Sequence, residues 1–230
     1  MTALPAPAGA PLPEPRPRRA RLASIEAAAI AGIICAVGWS IGLHGLLAAP
    51  EIDASSAAVT RYYREVDGRE ALVFLQLIVI ATIAFIWFVG VVRSRLGEQE
   101  SRLIGTAFLG GAILLAGLMF AGSAALAAPS VGVEAGGTPD PGAASMSRAL
   151  AVTLLTVFAP RVATLVMFST AALARRAGSL PRWLIVVTYL VGVAEFVNVT
   201  ISTPAVYVFP AWIALVSVVL LVRPRPGPAA

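Results

Sequence analysis

The side chains that most suggest chemistry in this sequence are Arg161 and Glu195. Each lies near the middle of an apolar segment long enough to cross a bilayer, and no other charged residue falls at that depth of a predicted span. A charge at the centre of a membrane helix costs about 2.5–3.5 kcal/mol on insertion scales. Such a residue is therefore a hypothesis for a functional site. Counting the helical rise places both side chains roughly 18–20 Å from the inner surface.

The connection between the two segments is short, so they form antiparallel neighbours and we expect an Arg161–Glu195 ion pair. Polar residues at helical spacing share the charged faces; these candidate site residues are Thr164 on the first segment and Asn198 and Ser202 on the second. Pro160 frees a helix carbonyl that the guanidinium or a threonine hydroxyl could satisfy. The plainest interpretation is a buried lock between two helices, with a polar translocation path or ligand site as the alternative and catalysis as the least favoured.

A second group of polar residues lies towards the outer ends of the first two predicted helices. His44, Gln76 and Glu70 could form an outer vestibule that binds a proton or a cation. The bland alternative is an interfacial histidine satisfied by water and carboxylates. One histidine with scattered carboxylates predicts no metal site.

No cofactor and no catalytic residue is predicted. A single histidine excludes a bis-histidine haem within one chain, and Cys35, the only cysteine, excludes an internal disulfide. The sequence contains no P-loop, dinucleotide-binding glycine pattern, zinc-protease HExxH or GxSxG elbow. These absences argue against common enzymes and nucleotide-driven pumps.

The composition is that of an all-α, multi-pass transmembrane protein. Of the 230 residues, 58% are hydrophobic and 13% are charged, whereas soluble domains are about one quarter charged. All 17 basic residues are arginine, and cytoplasmic loops of membrane proteins carry such an excess. The basic pI therefore does not predict a nucleic-acid partner. The predicted partners are the lipid bilayer and, as an open alternative, a membrane protein subunit.

The elements that must position these residues are six predicted helices within a transmembrane domain of residues 25–223. Their predicted ranges are 25–49, 71–92, 103–128, 149–174, 183–203 and 205–222. Residues 1–24 are predicted to be a disordered, basic, Pro-rich cytoplasmic tail, and residues 224–230 a short cytoplasmic tail. The first apolar run is too long for the core of a signal peptide. Most arginines fall inside if both termini are cytoplasmic, which predicts an even number of spans in the plasma membrane.

Loops and small residues provide further predictions. Ser55 is expected to cap a short interfacial helix that ends at Val66, and the second outer loop, 129–147, is expected to be mobile. Small residues at every fourth position predict close packing of the first and third helices. These residues are Ala28, Gly32, Ala36, Ser40 and His44 in the first helix and Gly117, Ala121 and Ala125 in the third.

Four short motifs carry a resemblance to known proteins. They are Tyr62-Tyr63-Arg64, Phe85-Ile86-Trp87-Phe88-Val89-Gly90, Leu180-Pro181-Arg182-Trp183-Leu184 and Pro210-Ala211-Trp212. With them, residues 25–223 resemble a diffuse group of uncharacterised bacterial six-helix integral membrane proteins. The resemblance implies six spans and no catalytic residues, because the group has no assigned activity.

The expected function is therefore a non-catalytic structural or regulatory membrane subunit with a buried Arg161–Glu195 pair. The alternative is a small transporter or channel that uses both residues in a polar mid-membrane path. A membrane enzyme is the third and weakest hypothesis.

Overall fold

The computed structural model describes residues 18–96, 102–178, 180–198, 200 and 203–222. All regular secondary structure in these residues is helical, and they contain no strand. In chain order the helices are α1 (Arg18–Leu47), α2 (Ser56–Glu65), α3 (Gly68–Leu96), α4 (Arg102–Glu134), α5 (Pro141–Val152), a π segment (Thr153–Phe158), α6 (Ala159–Ala177), α7 (Arg182–Val197), a 3-10 turn (Thr203–Tyr207) and α8 (Val208–Val222).

Within the described ranges, five helical stretches are long and apolar enough to cross a membrane. They are Glu26–Leu47, Gly68–Arg93, Leu103–Glu134, Pro141–Arg176 and Thr203–Val222. The prediction for 183–203 corresponds to α7, which has only 16 residues. At 1.5 Å per residue α7 is about 24 Å long, less than the roughly 30 Å hydrocarbon core.

Helix α1 packs between α3 and α8, while α4 packs on α3 and α6, and α7 packs on α6. Glycines permit close approaches of α1 to both of its neighbours. A Cβ at Gly38 would lie 2.8 Å from the Cβ of Ala81 on α3, and a Cβ at Gly32 would lie 2.0 Å from Ser217 Oγ on α8.

Of the predicted four-residue stripe of α1, Ala28, Gly32 and Ala36 are buried and a Cβ at Gly32 would also lie 3.0 Å from the Phe88 ring on α3, whereas His44 is exposed. Gly38 adds a contact with α3 outside that stripe. The stripe predicted for the third helix is wrong, because Gly117 and Ala121 are exposed on α4.

A small layer forms where α2 covers the ends of α4 and α5. As predicted, Ser55 caps α2 by accepting a hydrogen bond from Ala58 N at 3.3 Å; the helix ends at Glu65, with Val66 as its C-cap, one residue earlier than predicted. Val59 and Tyr63 of α2 are buried against Ala144 of α5. Such an amphipathic helix suits a site just outside the apolar segments.

The predicted loop at 129–147 is wrong. Helix α4 continues past Pro129 to Glu134, and α5 starts at Pro141, so the connection is short. Asp140 caps α5 by accepting from Gly142 N at 2.8 Å and from Ala143 N at 3.2 Å. Asp followed by Pro is a regular helix start, and this signal outweighs the loop-like composition of the segment.

The chain ends also differ from the prediction. Helix α1 begins at Arg18, so residues 18–24 are helical rather than part of the predicted tail. The rest of that tail and the predicted tail at 224–230 lie outside the described residues.

Candidate functional site

Arg161 is held by backbone carbonyls from two helices. Its Nη1 donates to Val157 O at 2.7 Å and to Thr156 O at 3.1 Å, both in the π segment of its own continuous helix. Its Nη2 donates to Asn198 O, at the end of α7. The guanidinium therefore links a distorted turn of one helix to the terminus of another.

Two of the three acceptors, Thr156 O and Asn198 O, are carbonyls that their own helices leave poorly paired. Pro160 has no N–H to donate to Thr156 O, its partner in a regular α-helix. Asn198 is the C-cap of α7, where the last carbonyls lack intrahelical donors and carry the negative end of the helix dipole. The predicted use of a carbonyl freed by Pro160 is thus confirmed for Arg161.

The predicted ion pair between Arg161 and Glu195 is not formed. No guanidinium nitrogen of Arg161 lies within 4.0 Å of a Glu195 carboxylate oxygen. The salt bridge found among the described residues joins Arg69 Nε to Glu134 Oε1, at 3.3 Å. The charge of Arg161 still acts on Glu195 through space. Three carbonyl acceptors occupy the guanidinium, which removes its need for a carboxylate.

Thr164 joins α6 to α7 one turn below Arg161. Its hydroxyl lies 3.0 Å from Pro160 O and 3.2 Å from Gly192 O. Gly192 lets the helices come close, since a Cβ there would meet the Phe168 ring at 2.4 Å. Thr164 is therefore buried in the contact between α6 and α7, where its hydroxyl bonds across the two helices, and it does not line an open path.

Asn198 closes the end of α7 with its side chain. Its Oδ1 accepts from Thr200 N at 3.0 Å and from Thr200 Oγ1 at 2.5 Å. This local bonding favours a turn over continued helix. Ser202, the remaining predicted member of the site, lies outside the described residues.

Glu195 lines a small cavity between the helices. The cavity has a volume of about 20 Å³, which is on the order of one water molecule. Glu195 is the only charged residue of its wall, and the carboxyl has no hydrogen bond or ion pair within the described part of the chain. The apolar part of the wall includes Trp39, Met119, Pro160, Met167, Phe209 and Pro210.

An aromatic cluster that the sequence did not indicate forms one side of this cavity. The Trp39 ring centroid lies 5.0 Å from that of Phe85 and 6.1 Å from that of Phe209. Trp39 Nε1 donates to Thr82 Oγ1 at 3.0 Å, which satisfies the buried indole. Spacing along one helix could not reveal this cluster, because its rings come from α1, α3 and α8.

The predicted outer vestibule is not assembled. His44, Gln76 and Glu70 are all exposed, and no hydrogen bond joins them. No three His, Cys, Asp or Glu residues within the described ranges form a group that could hold a metal ion. The exposed side chains of His44 on α1 and of Gln76 and Glu70 on α3 face away from the bundle and do not share a pocket.

Among the described residues, the fold and this site define an all-helical membrane protein with one charged, half-buried side chain in the wall of a small cavity between helices. Comparison with protein-family models, with curated proteins and with solved structures found no match. The resemblance to bacterial six-helix membrane proteins therefore stays a prediction.

Proposed function

We propose that this chain is a small cation transporter or channel of the plasma membrane, with Glu195 as its cation-binding group. The observation that carries the proposal is the unpaired carboxyl of Glu195 in the wall of an internal cavity. An ionisable residue within a membrane bundle is costly and commonly marks an ion or proton pathway. In the proposed topology six spans cross the membrane and both termini are cytoplasmic.

The absence of the predicted Arg161–Glu195 ion pair favours the transporter over the structural subunit. A matched pair would explain both charges as a structural lock. The contacts of Arg161 provide a structural explanation for the arginine alone, since it pairs carbonyls of the π segment and of α7. Glu195 is then a carboxyl without a structural task, and a functional task is the better account.

The backbone around the cavity also supports a transport function. The helix that carries Arg161 is continuous but distorted at the π segment before Pro160, and α7 ends at Asn198. Many transporters bind their ions at interrupted helices near the bilayer midplane. We include α7 as the sixth span of the proposed topology.

Cation flux into proteoliposomes tests the proposal. Vesicles that hold a pH dye, or that take up labelled Na⁺ or K⁺, would compare the wild type with Glu195→Gln and with Glu65→Gln, an exposed residue on α2. The proposal predicts flux of at least one cation in the wild type and in the Glu65 variant. Glu195→Gln should fall to the level of protein-free vesicles. Equal flux in the wild type and Glu195→Gln, or no flux of any of the three cations, would contradict it.

The small size of the cavity favours a second candidate, a non-catalytic structural or regulatory subunit. A space for about one water leaves the bundle nearly closed in this state. Purification from the native membrane in mild detergent tests this function. A stoichiometric partner that stabilises the chain, together with absent cation flux, would support the subunit over the transporter.

A further inference from the structure

We infer that the cation bound at Glu195 is a proton, exchanged through a single water molecule in the cavity. The inference rests on the proposed function for the identity of the site, and it deepens that function by naming the ligand. It follows from the number of oxygen atoms that the site provides, from the size of the cavity and from the fixed position of Arg161.

A metal cation would need several oxygen ligands in place of its hydration shell, as in selectivity filters built from rings of carbonyls. The wall of this cavity offers the Glu195 carboxyl among apolar side chains. Of the carbonyls near the cavity, Thr156 O and Asn198 O accept hydrogen bonds from Arg161, and the Thr164 hydroxyl lies within hydrogen-bond distance of Pro160 O and Gly192 O. One carboxyl and one water can hold a proton but cannot form the shell of Na⁺ or K⁺.

The elements packed around Glu195 present one cationic side chain and otherwise apolar side chains. From α6 the Arg161 charge acts on it, whereas α1, α4 and α8 provide apolar side chains to the cavity wall. An apolar wall favours a neutral carboxylic acid, and a nearby fixed cation favours the carboxylate. Arg161 cannot neutralise the carboxylate by direct contact while it holds the carbonyls of two helices.

The proton step is balanced without any other reactant. A hydronium ion in the cavity gives its proton to a carboxylate oxygen of Glu195, which forms an O–H bond and leaves a neutral water. The reverse step returns the proton to a water. No other atom is oxidised, reduced or transferred.

Infrared difference spectroscopy of the protein in lipid nanodiscs tests this inference independently of transport. We expect a carboxylic-acid C=O band that appears as pH falls, that is lost in Glu195→Gln, and whose midpoint is the same in Na⁺ and in choline buffers. Glu195→Asp should keep a titrating band at a shifted frequency, which provides a readout if the glutamine variant is poorly folded. The control Glu65→Gln should leave the band unchanged.

Two outcomes would overturn the inference: a titrating band that persists in Glu195→Gln and is unshifted in Glu195→Asp, or a midpoint that shifts when Na⁺ replaces choline. The flux measurement remains separate. Proton binding at Glu195 without flux would retain the inference and reject transport, and Glu195-dependent Na⁺ flux with a Na⁺-sensitive midpoint would retain transport and reject the proton.

Discussion

At the scale of single residues, Arg161 and Glu195 lie on neighbouring helices but have different surroundings. Arg161 donates to carbonyls of Thr156, Val157 and Asn198, so its charge is used in joining two helices. Glu195 faces a cavity and has no such contacts. We therefore assign a structural role to Arg161 and the proposed chemical role to Glu195, rather than one shared role to a pair.

Replacing Arg161 should destabilise the fold. Arg161→Ala leaves several carbonyls without donors, and each buried unpaired group costs about 1–3 kcal/mol, so we expect a loss of about 2–3 kcal/mol in the free energy of unfolding. Arg161→Lys should retain only part of this stability, because a lysine lacks the planar fork that reaches both helices. Denaturant titration in mixed micelles measures both. A stability of Arg161→Ala equal to the wild type would contradict the carbonyl contacts.

The depth of Arg161 and the carbonyl freed by Pro160 could both be predicted from the sequence, but the partner of the guanidinium could not. Apolar residues continue on both sides of Asn198, so hydropathy gives no sign that α7 ends there. A long arginine side chain can reach either a carboxylate or a helix end. Only the position of that helix end decides between them.

At the scale of elements, polar side chains donate hydrogen bonds to backbone carbonyls that lack a partner within their own helix. Pro129 of α4 cannot donate to Ala125 O, and Ser147 of α5 donates to that oxygen at 2.6 Å. Arg148 donates to Leu47 O, at the end of α1, at 3.3 Å, as Arg161 does at the end of α7. A carbonyl left without a donor in one helix thus accepts a hydrogen bond from a side chain of a packed helix, which satisfies the backbone in an apolar environment.

The hydrogen bond from Thr164 to Gly192 should contribute measurably to the contact of α6 with α7. Thr164→Val removes it while keeping the side-chain shape, and we expect a loss of about 0.6–1.7 kcal/mol, the range found for interhelical hydrogen bonds in membranes. Thr153→Val is a matched control, because its hydroxyl bonds only to Ala149 O of the preceding turn. Thermal unfolding in detergent would compare the two. A similar effect of both variants would argue against a helix-to-helix role for Thr164.

The contact of α2 with α5 should weaken at alkaline pH. Burial raises the pKa of the Tyr62 and Tyr63 hydroxyls; Glu70 also raises the pKa of Tyr62, and Arg148 opposes both shifts. Since the folded state favours neutral tyrosines, their contribution to stability is complete below the ordinary pKa of about 10 and is lost as pH rises through the raised values. Hydrogen exchange of α2 across this range measures the loss. The double variant Tyr62→Phe with Tyr63→Phe should abolish the pH dependence, and an unchanged dependence would contradict this explanation.

The start and end of α2 could be read from Ser55 and Val66, whereas the α4–α5 region was misjudged. A Gly-, Pro- and Ser-rich composition at 129–147 resembles a loop, yet Pro129 is accommodated inside α4 because Ser147 pairs the carbonyl that it frees. That compensation comes from a different helix. It is therefore invisible to any window along the sequence.

At the scale of the whole molecule, hydropathy predicts the helical class and six spans, and the described residues contain five helical stretches long and apolar enough to cross a membrane. The sixth span depends on how the chain continues beyond α7, since α7 is shorter than a bilayer core. The orientation rests on the arginine distribution. Both features belong to the proposed topology, with α2 on the outer side.

Cysteine labelling tests this topology. In a Cys35→Ala background, Ala57→Cys on the exposed face of α2 should react with a membrane-impermeant maleimide in intact cells. A cysteine added after Ala230 should react only after the cells are opened. Reaction of the C-terminal cysteine in intact cells would contradict an even number of spans with a cytoplasmic N-terminus.

The coupling free energy between Arg161 and Glu195 tests most directly whether the two charges have separate tasks. It is obtained from a double-mutant cycle of Arg161→Ala, Glu195→Ala and the double variant, by denaturant unfolding in mixed micelles. We predict a coupling below about 1 kcal/mol and no recovery in the double variant, because the charge of Arg161 acts on Glu195 only through space and the two side chains do not form a salt bridge. A coupling of about 2 kcal/mol or more with clear recovery would show a direct buried pair, and it would remove the reason to assign Glu195 a task of its own.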